Sequence, residues 1–323
     1  MFRALPYKTN QFFFVLIKLS IVIGAFYFIY LKLTTNSDLD FNEFLYFLSE
    51  NHVFSLKNAL FLVFLSVLNW FFEIKKWQIL VSSIKKTSFS EASKQSLGAL
   101  TASLFTPNRI GDYGAKALYF TSSYRKRIVL LNLIGNLMQM SITTLFGIVG
   151  LYFFILEYNV DIAYFKASRF LIIIAIVSII SFVGLKQKRF KIKGFSIEKL
   201  RLFIKNLGLN TITSSFVLSL LRYLVFSFQF YFLLGIFGIE VSYFHAMVAI
   251  TSMYLLASII PSIFIFDVII KGSIAVYIFT TVHVNEFTIL SIVLLMWILN
   301  FVLPSILGSY YVLTFTPQKN KTA

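Results

Sequence analysis

Cysteine is absent from all 323 residues, which excludes thiol nucleophiles, disulfides and every zinc site built on thiolate. Histidine is nearly absent: His52, His245 and His283 stand far apart, with no H-x-H or HExxH spacing, so no metal or other cofactor is expected. Neither G-x-x-x-x-G-K-[ST] nor G-x-G-x-x-G occurs, which removes the phosphate-cradling loops of an ATP-driven pump and of a dinucleotide enzyme. Acid is scarce as well, with 13 Asp and Glu against 29 Lys and Arg, a formal charge of +16. Charged residues amount to only 13% of the chain, about half the share usual in soluble domains.

What is plentiful is apolar. Hydrophobic residues make up 58%, with 39 phenylalanines and a mean hydropathy of +0.82, the composition of a chain solvated mainly by lipid. Six runs are long enough, or nearly so, to cross a bilayer: 12–33, 58–80, 128–156, 169–185, 211–235 and 287–313. The first lacks a small-x-small cleavage site and reads as a retained helix rather than a signal peptide.

The connections sort by charge. Lys32–Lys57, Glu157–Arg169 and the short joins at Glu240 and Glu286 hold eight of the thirteen acids but four of the 29 basic residues. The other set is basic: Lys85, Lys86 and Lys94, then Arg125–Arg127, then the run from Lys186 to Lys205, then Lys319 and Lys321. Positive-inside asymmetry places the basic set and both termini in the cytoplasm of a prokaryotic inner membrane. Most of the +16 is thereby topological and needs no nucleic acid partner.

Two stretches are not simple spans. Residues 95–120 begin and end on the basic side, and each half is shorter than the ~20 residues that a span requires. A re-entrant hairpin with its tip at Thr106–Arg109 is expected. Residues 244–281 begin and end on the acidic side around Pro261–Ser262, either as a second hairpin or as two spans. The fold class expected is therefore all-α and polytopic: about six spans plus two Pro-tipped re-entrant hairpins, or eight spans. The directions of 1–156 mirror those of 157–323, so the single membrane domain 1–323 reads as an inverted-topology repeat, a construction that puts binding sites where broken helices meet. Pro107 is followed by Asp112 and Lys116, and Pro261 by Asp267 and Lys271, two i,i+4 acid–base pairs 155 residues apart.

Ionisable residues at membrane depth cost roughly 2.5–3.5 kcal/mol each on insertion scales, so each needs a reason. Lys18 can snorkel to the surface. Arg109, Asp112 and Lys116 share one helical face, and with Pro107, Gly111 and Gly114 beside them they fit either a cationic site for phosphate or carboxylate or a self-satisfied salt bridge. Asp267 and Lys271 carry the same two readings. Arg222 falls in the middle of its span and requires a partner: Asp267, Glu73 or a bound anion. Asn69, Glu73 and Lys76 form one polar stripe, with Glu73 near the cytoplasmic end of its helix; Asn132, Asn136 and Gln139 form another, and Arg222 and Gln229 are seven apart. The asparagines suit interhelical hydrogen bonds, and Glu73 suits a shared cavity.

SLFTPNRIGDYGAKALYF resembles the first signature of the lysylphosphatidylglycerol synthase transmembrane-region family, also called flippase-like domain proteins. LLRYLVFSFQFYFLLGIFG is similar to its Arg-containing span, SIIPSIFIFDVIIKGSIAVYIF to its second Pro-Ser/Thr hairpin, and MWILNFVLPSILGSYY to its closing segment. Ile269 stands where that family carries a glycine. The resemblance implies Pro107, Arg109, Gly111 and Asp112 as site positions in the first hairpin, and Pro261, Ser262, Asp267 and Lys271 in the second. It implies the membrane module alone, since no room is seen for the soluble aminoacyl-transferase domain.

The function expected is a flippase-like transporter that moves a lipid or lipid-linked amphiphile with an anionic headgroup between leaflets. Arg109, Lys116, Arg222 and Lys271 would handle the headgroup. Its partners would be anionic or phosphate-bearing membrane lipids and, in one variant, a separate lipid-modifying enzyme. Two alternatives stay open. Asp38 and Asp40 form a D-x-D that could serve a small lipid-dependent glycosyltransferase, though an acidic outer loop explains it too; or the chain is a non-catalytic membrane subunit of a lipid-modifying system.

Overall fold

The computed structural model describes residues 41–50, 55–104, 106, 110–158, 197–259 and 267–316, together with the helical positions Leu16, Leu19, Ser20, Ile23 and Tyr27. Every element among them is helical. In chain order they are α1 (Phe41–Glu50), α2 (Leu56–Ser82), α3 (Phe89–Ser103), α4 (Gly111–Leu118), α5 (Ser122–Tyr158), α6 (Ile197–Asn206), α7 (Leu209–Ile236), α8 (Tyr243–Ile259), α9 (Asp267–Thr281) and α10 (Glu286–Trp297). A π turn over Ile298–Val302 then leads into α11 (Leu303–Leu313).

Four helices are long and apolar enough to cross a membrane: α2, α5, α7 and the continuous stretch Glu286–Leu313. They match four of the six expected runs; 12–33 and 169–185 lie outside the described residues, the few single positions named above excepted. The spans wear their apolar residues outward. Leu56, Leu60, Val63, Phe64, Val67 and Phe71 of α2 are exposed, while Asn69, Glu73 and Lys76 are buried on its opposite face. That inversion suits a lipid solvent, in which charge is hidden and leucine is not.

The remaining helices are short. The arms α3 and α4 have 15 and 8 residues, and α8 and α9 have 17 and 15. At ~1.5 Å per residue none reaches the ~30 Å of a hydrocarbon core. The first arm begins earlier than the apolar pattern suggests, at Phe89, because Ser88 and Glu91 close a capping box. There the Ser88 backbone amide donates to Glu91, which holds that carboxyl below the usual carboxylate range.

Two of the short helices, α3 and α8, are each seated on a long helix from the other half of the chain. In one contact, Thr101 of α3 donates to the Ser305 carbonyl at 2.9 Å, and Gly308 of α11 lies so close that a Cβ would overlap the Leu97 carbonyl and Thr101 Oγ1. In the other, Gly147 and Gly150 of α5 meet Leu255 and Thr251 of α8, where a Cβ would overlap again. Small residues at both crossings let the backbones approach as van der Waals packing in lipid demands. Two apolar cores result. One is centred on α2–α5, with Trp77, Ala92, Phe120 and Leu131; the other on α7–α10, with Leu233, Ala249, Ile278 and Ile292.

The ends of the bundle differ in charge. Tyr119 donates to the Lys94 carbonyl and packs its ring on Phe315, and Arg125 donates to the Phe120 carbonyl, which gathers Lys85, Lys86, Lys94 and Arg125–Arg127 at one end. At the far end of α2, about 40 Å away at ~1.5 Å per residue, Phe47 stacks on Phe237 and meets Phe287 edge-on, and His245 lies 2.8 Å from Glu157. Glu50, Glu240 and Glu286 belong to this second end.

Two helices stop there in the same manner. After α7, Gly238 adopts φ +72° while Ile239 donates to the Leu234 carbonyl; after α9, His283 adopts φ 63° while Val284 donates to the Phe279 carbonyl. This is the Schellman stop, which glycine enters without strain and histidine does not. Changing His283→Gly is expected to raise the unfolding midpoint in detergent, through a gain of ~0.5–1 kcal/mol.

Candidate functional site

Halfway along the bundle α2 crosses α7, and their polar stripes meet face to face. Arg222 donates from Nε to Asn69 Oδ1 at 3.1 Å and from Nη1 to Glu73 Oε2 at 2.7 Å. Lys76 donates to the same carboxylate oxygen at 2.7 Å. Of the three partners expected for Arg222, Glu73 is thus in place. Glu73, expected near one end of its helix, lies nine residues before the last residue of α2, Ser82.

The amides extend this pair into a chain. Asn69 donates to Asn300 Oδ1 at 2.8 Å, Asn300 donates to Gln229 Oε1 at 2.9 Å, and Gln229 donates to the Leu62 carbonyl and Ser66 Oγ. Asn300 reaches inward from the π turn, a geometry common where helices carry function. The local cause is Pro304: lacking an N–H, it leaves the Asn300 carbonyl without its helical donor. The Trp70 indole takes that carbonyl at 3.0 Å.

A second polar group adjoins the first. Asp112 accepts from Asn132 at 2.6 Å and faces the Lys116 ammonium at 3.2 Å, and Lys116 also donates to Asn132 Oδ1 at 2.8 Å. The same ammonium lies 4.6 Å from the centre of the Trp77 ring, whose indole donates to Gln95 at 2.7 Å. Lys76 bridges the two groups by position. A Cβ at Gly135 of α5 would stand 3.7 Å from its Cε, and Lys116 is near enough to act electrostatically on both Lys76 and Glu73.

Together these are three cations and two carboxylates, a local charge of +1 held at the depth of the spans. Lys76 and Lys116 are sealed, with side chains 3% and 4% exposed, whereas Arg222 keeps 22%. Arg222 is therefore the cation of this cluster that a ligand can approach. Beside it the hydroxyls of Tyr223 and Tyr254 are buried without a hydrogen-bond partner, their rings 6.1 Å apart. Such a cluster can bind an anion, and it can also act purely as a fastening between helices.

Of the residues singled out from the sequence, Glu73, Asp112, Lys116 and Arg222 come together here. Gly111 opens α4 and donates to Thr106 Oγ1 at 3.0 Å, which pins the turn that carries Asp112. Lys271 is on an exposed face of α9, and Asp267 begins that helix with its side chain outside the described set. Pro107, Arg109, Pro261, Ser262, Asp38, Asp40 and Lys18 lie outside the described residues. The asparagine stripe does bind across helices, Asn136 to the Tyr113 hydroxyl at 2.9 Å as well as Asn132 to Asp112. Lys76, Asn132, Asn300, Trp77 and Gln95 were not recognised as members of the cluster. Asn300 left one legible sign, an amide deep in an apolar run with proline four residues on.

A family model described as the lysylphosphatidylglycerol synthase TM region matches residues 15–308. A search of curated proteins and one of solved structures found no match. The family match runs through residues 95–120 and 244–281, the Arg222 helix and the π turn. On that coverage the chain belongs to the lysylphosphatidylglycerol synthase TM region family, and it is a membrane-integral protein of lipid metabolism or transport.

Proposed function

We propose that the protein is a flippase-like transporter that carries a lipid, or a lipid-linked amphiphile, with an anionic headgroup between leaflets. The observation that carries this reading is the buried cluster at the crossing of α2 and α7, with cations in excess and Arg222 at its accessible edge. A headgroup phosphate would meet Arg222 there while its acyl chains stay in lipid. In the same reading Pro107, Arg109 and Gly111 are headgroup-binding positions of the first hairpin, and Pro261, Ser262, Asp267 and Lys271 those of the second. Asp112 and Lys116 line the path.

Alternation between sides would come from an inverted repeat, residues 1–156 against 157–323. Several features support it. The helix order long, short, short, long occurs in α2–α5 and again from α7 to α11, and each half contributes most of one core. The first short helix of each series, α3 or α8, also seats on the other's last long helix, with a threonine against a glycine both times. The basic end would face the cytoplasm and hold anionic inner-leaflet lipid close. Single cysteines at Asn108 and Ser262 should then label from opposite sides of the membrane, and same-side labelling would remove the inverted hairpins.

Transport is tested in proteoliposomes with labelled phosphatidylglycerol. Leaflet exchange should exceed that of empty vesicles, and Arg222→Gln should lower it at least ~tenfold, the loss of one charge-assisted contact. Exchange equal to that of protein-free vesicles would refute the proposal.

A further inference from the structure

We infer that Glu73 is the resident anion of this site: its carboxylate holds the place of the headgroup's anionic oxygen, and the headgroup binds by displacing it. The inference rests on the anionic-substrate reading above and adds how the ligand is released. Glu73 then competes with the substrate for Arg222 and Lys76.

The geometry is that of a bound oxyanion. One oxygen, Oε2, receives the Lys76 ammonium and an Arg222 guanidinium nitrogen, each at 2.7 Å. Two short charge-assisted bonds from two different helices are what a phosphate oxygen would also collect. The charged groups around the carboxylate are Lys76 on its own helix, Arg222 from α7, and Lys116 from α4 with its own partner Asp112. Arg222 makes its ion pair to Glu73, so a headgroup that approaches along its 22% exposed side must compete with that carboxylate.

A purely structural role is poorly matched by the rest of the crossing. Asn69 and Arg222, which touch, are 153 residues apart. Gln229 fastens α7 to α2 as a neutral amide, through the Leu62 carbonyl and Ser66 Oγ. The crossing is thus held by amides on one side and by ions on the other. Buried ions are weak fastenings compared with apolar or amide packing, and they suit a contact that has to open.

The test measures binding and transport separately, on the full chain purified in an uncharged detergent. Short-chain phosphatidylglycerol is titrated into the wild type, Glu73→Gln and Glu73→Gln/Lys76→Gln, with phosphatidylcholine of the same chain length and inorganic phosphate as parallel ligands. Glu73→Gln should bind phosphatidylglycerol ~tenfold tighter, leave phosphatidylcholine unchanged, and slow leaflet exchange because the ligand is no longer expelled. The double variant, which restores the local charge, should return towards wild-type affinity.

Unchanged or weaker phosphatidylglycerol binding by a Glu73→Gln protein that melts normally overturns the inference. If that variant does not fold, Glu73→Asp serves instead: its shorter reach should give intermediate tightening, and wild-type affinity counts against displacement. Equal tightening for inorganic phosphate assigns the site to free anions and overturns the lipid-headgroup form. Arg222→Gln separates the two levels. Loss of binding there with no effect of Glu73→Gln sinks the inference alone, and wild-type binding by Arg222→Gln sinks the transport reading as well.

Discussion

Lys116→Met is expected to destabilise the protein by ~3–5 kcal/mol, because it leaves a buried carboxylate without its cation. Lys116 is 4% exposed and pairs at once with Asp112, Asn132 and the Trp77 ring, so its removal strands Asp112 beside an amide that satisfies only one of its oxygens. Methionine keeps the length of the side chain, which confines the loss to charge and hydrogen bonding. Asp112→Asn/Lys116→Met removes both charges and should recover most of the stability, as neutralised pairs commonly do. Thermal unfolding of wild type, Lys116→Met, Asp112→Asn and the double variant in detergent gives the coupling directly. A single variant that melts within a degree of wild type would show that Asp112 is solvated, contrary to its buried position. The stable double variant then decides what the pair is for. Wild-type exchange in vesicles makes it a fastening, and lost exchange makes it part of the transport path.

Gly308→Val should cost ~3 kcal/mol or more, the upper range for overpacking, since the obstacle is backbone rather than a side chain that can swing away. The Cβ would strike the Leu97 carbonyl oxygen and Thr101 Oγ1, with the Leu97 carbonyl carbon at 2.8 Å. To relieve it α11 must lift from α3, which breaks the Thr101–Ser305 hydrogen bond and uncovers α3. Gly114→Ala is the control, because a Cβ there meets nothing within 4 Å. It should leave the melting temperature unchanged or raise it slightly, alanine being the better helix former. Equal melting of Gly308→Val and wild type would remove the close crossing of α3 and α11.

Much of the outline could be read in the chain. Length and hydropathy sufficed for α2, α5, α7 and Glu286–Leu313, because a span in lipid must satisfy its own backbone and be apolar throughout. Charge in the connections was legible for the same reason, and the fold does gather Lys85, Lys94 and Arg125 at one end and Glu50 and Glu157 at the other. That Arg222 needs a partner, with Asp267, Glu73 and a bound anion as the candidates, followed from the cost of a lone cation at mid-span. The site was less readable. Lys76 looked like one member of a stripe, although it shares the Glu73 oxygen with Arg222. Asn300 carried no periodic signal, because a π turn breaks the 3.6-residue spacing on which such a signal depends. Asn132 read as generic interhelical glue, and only its contact with a different helix made it the bridge between Asp112 and Lys116.

The sequence by itself determined the solvent of this protein, its helical class, the polarity of its two ends and which charges had to be hidden. Those are one-dimensional properties, since composition, run length and helical spacing act along a single element. The tertiary structure decided which hidden charges share a partner. Residues 153 apart meet at Asn69 and Arg222 only because α2 and α7 cross there, and a proline-freed carbonyl at Asn300 finds Trp70 only across that crossing. Pairing at membrane depth depends on which helix lies opposite, and no property of a single helix specifies that.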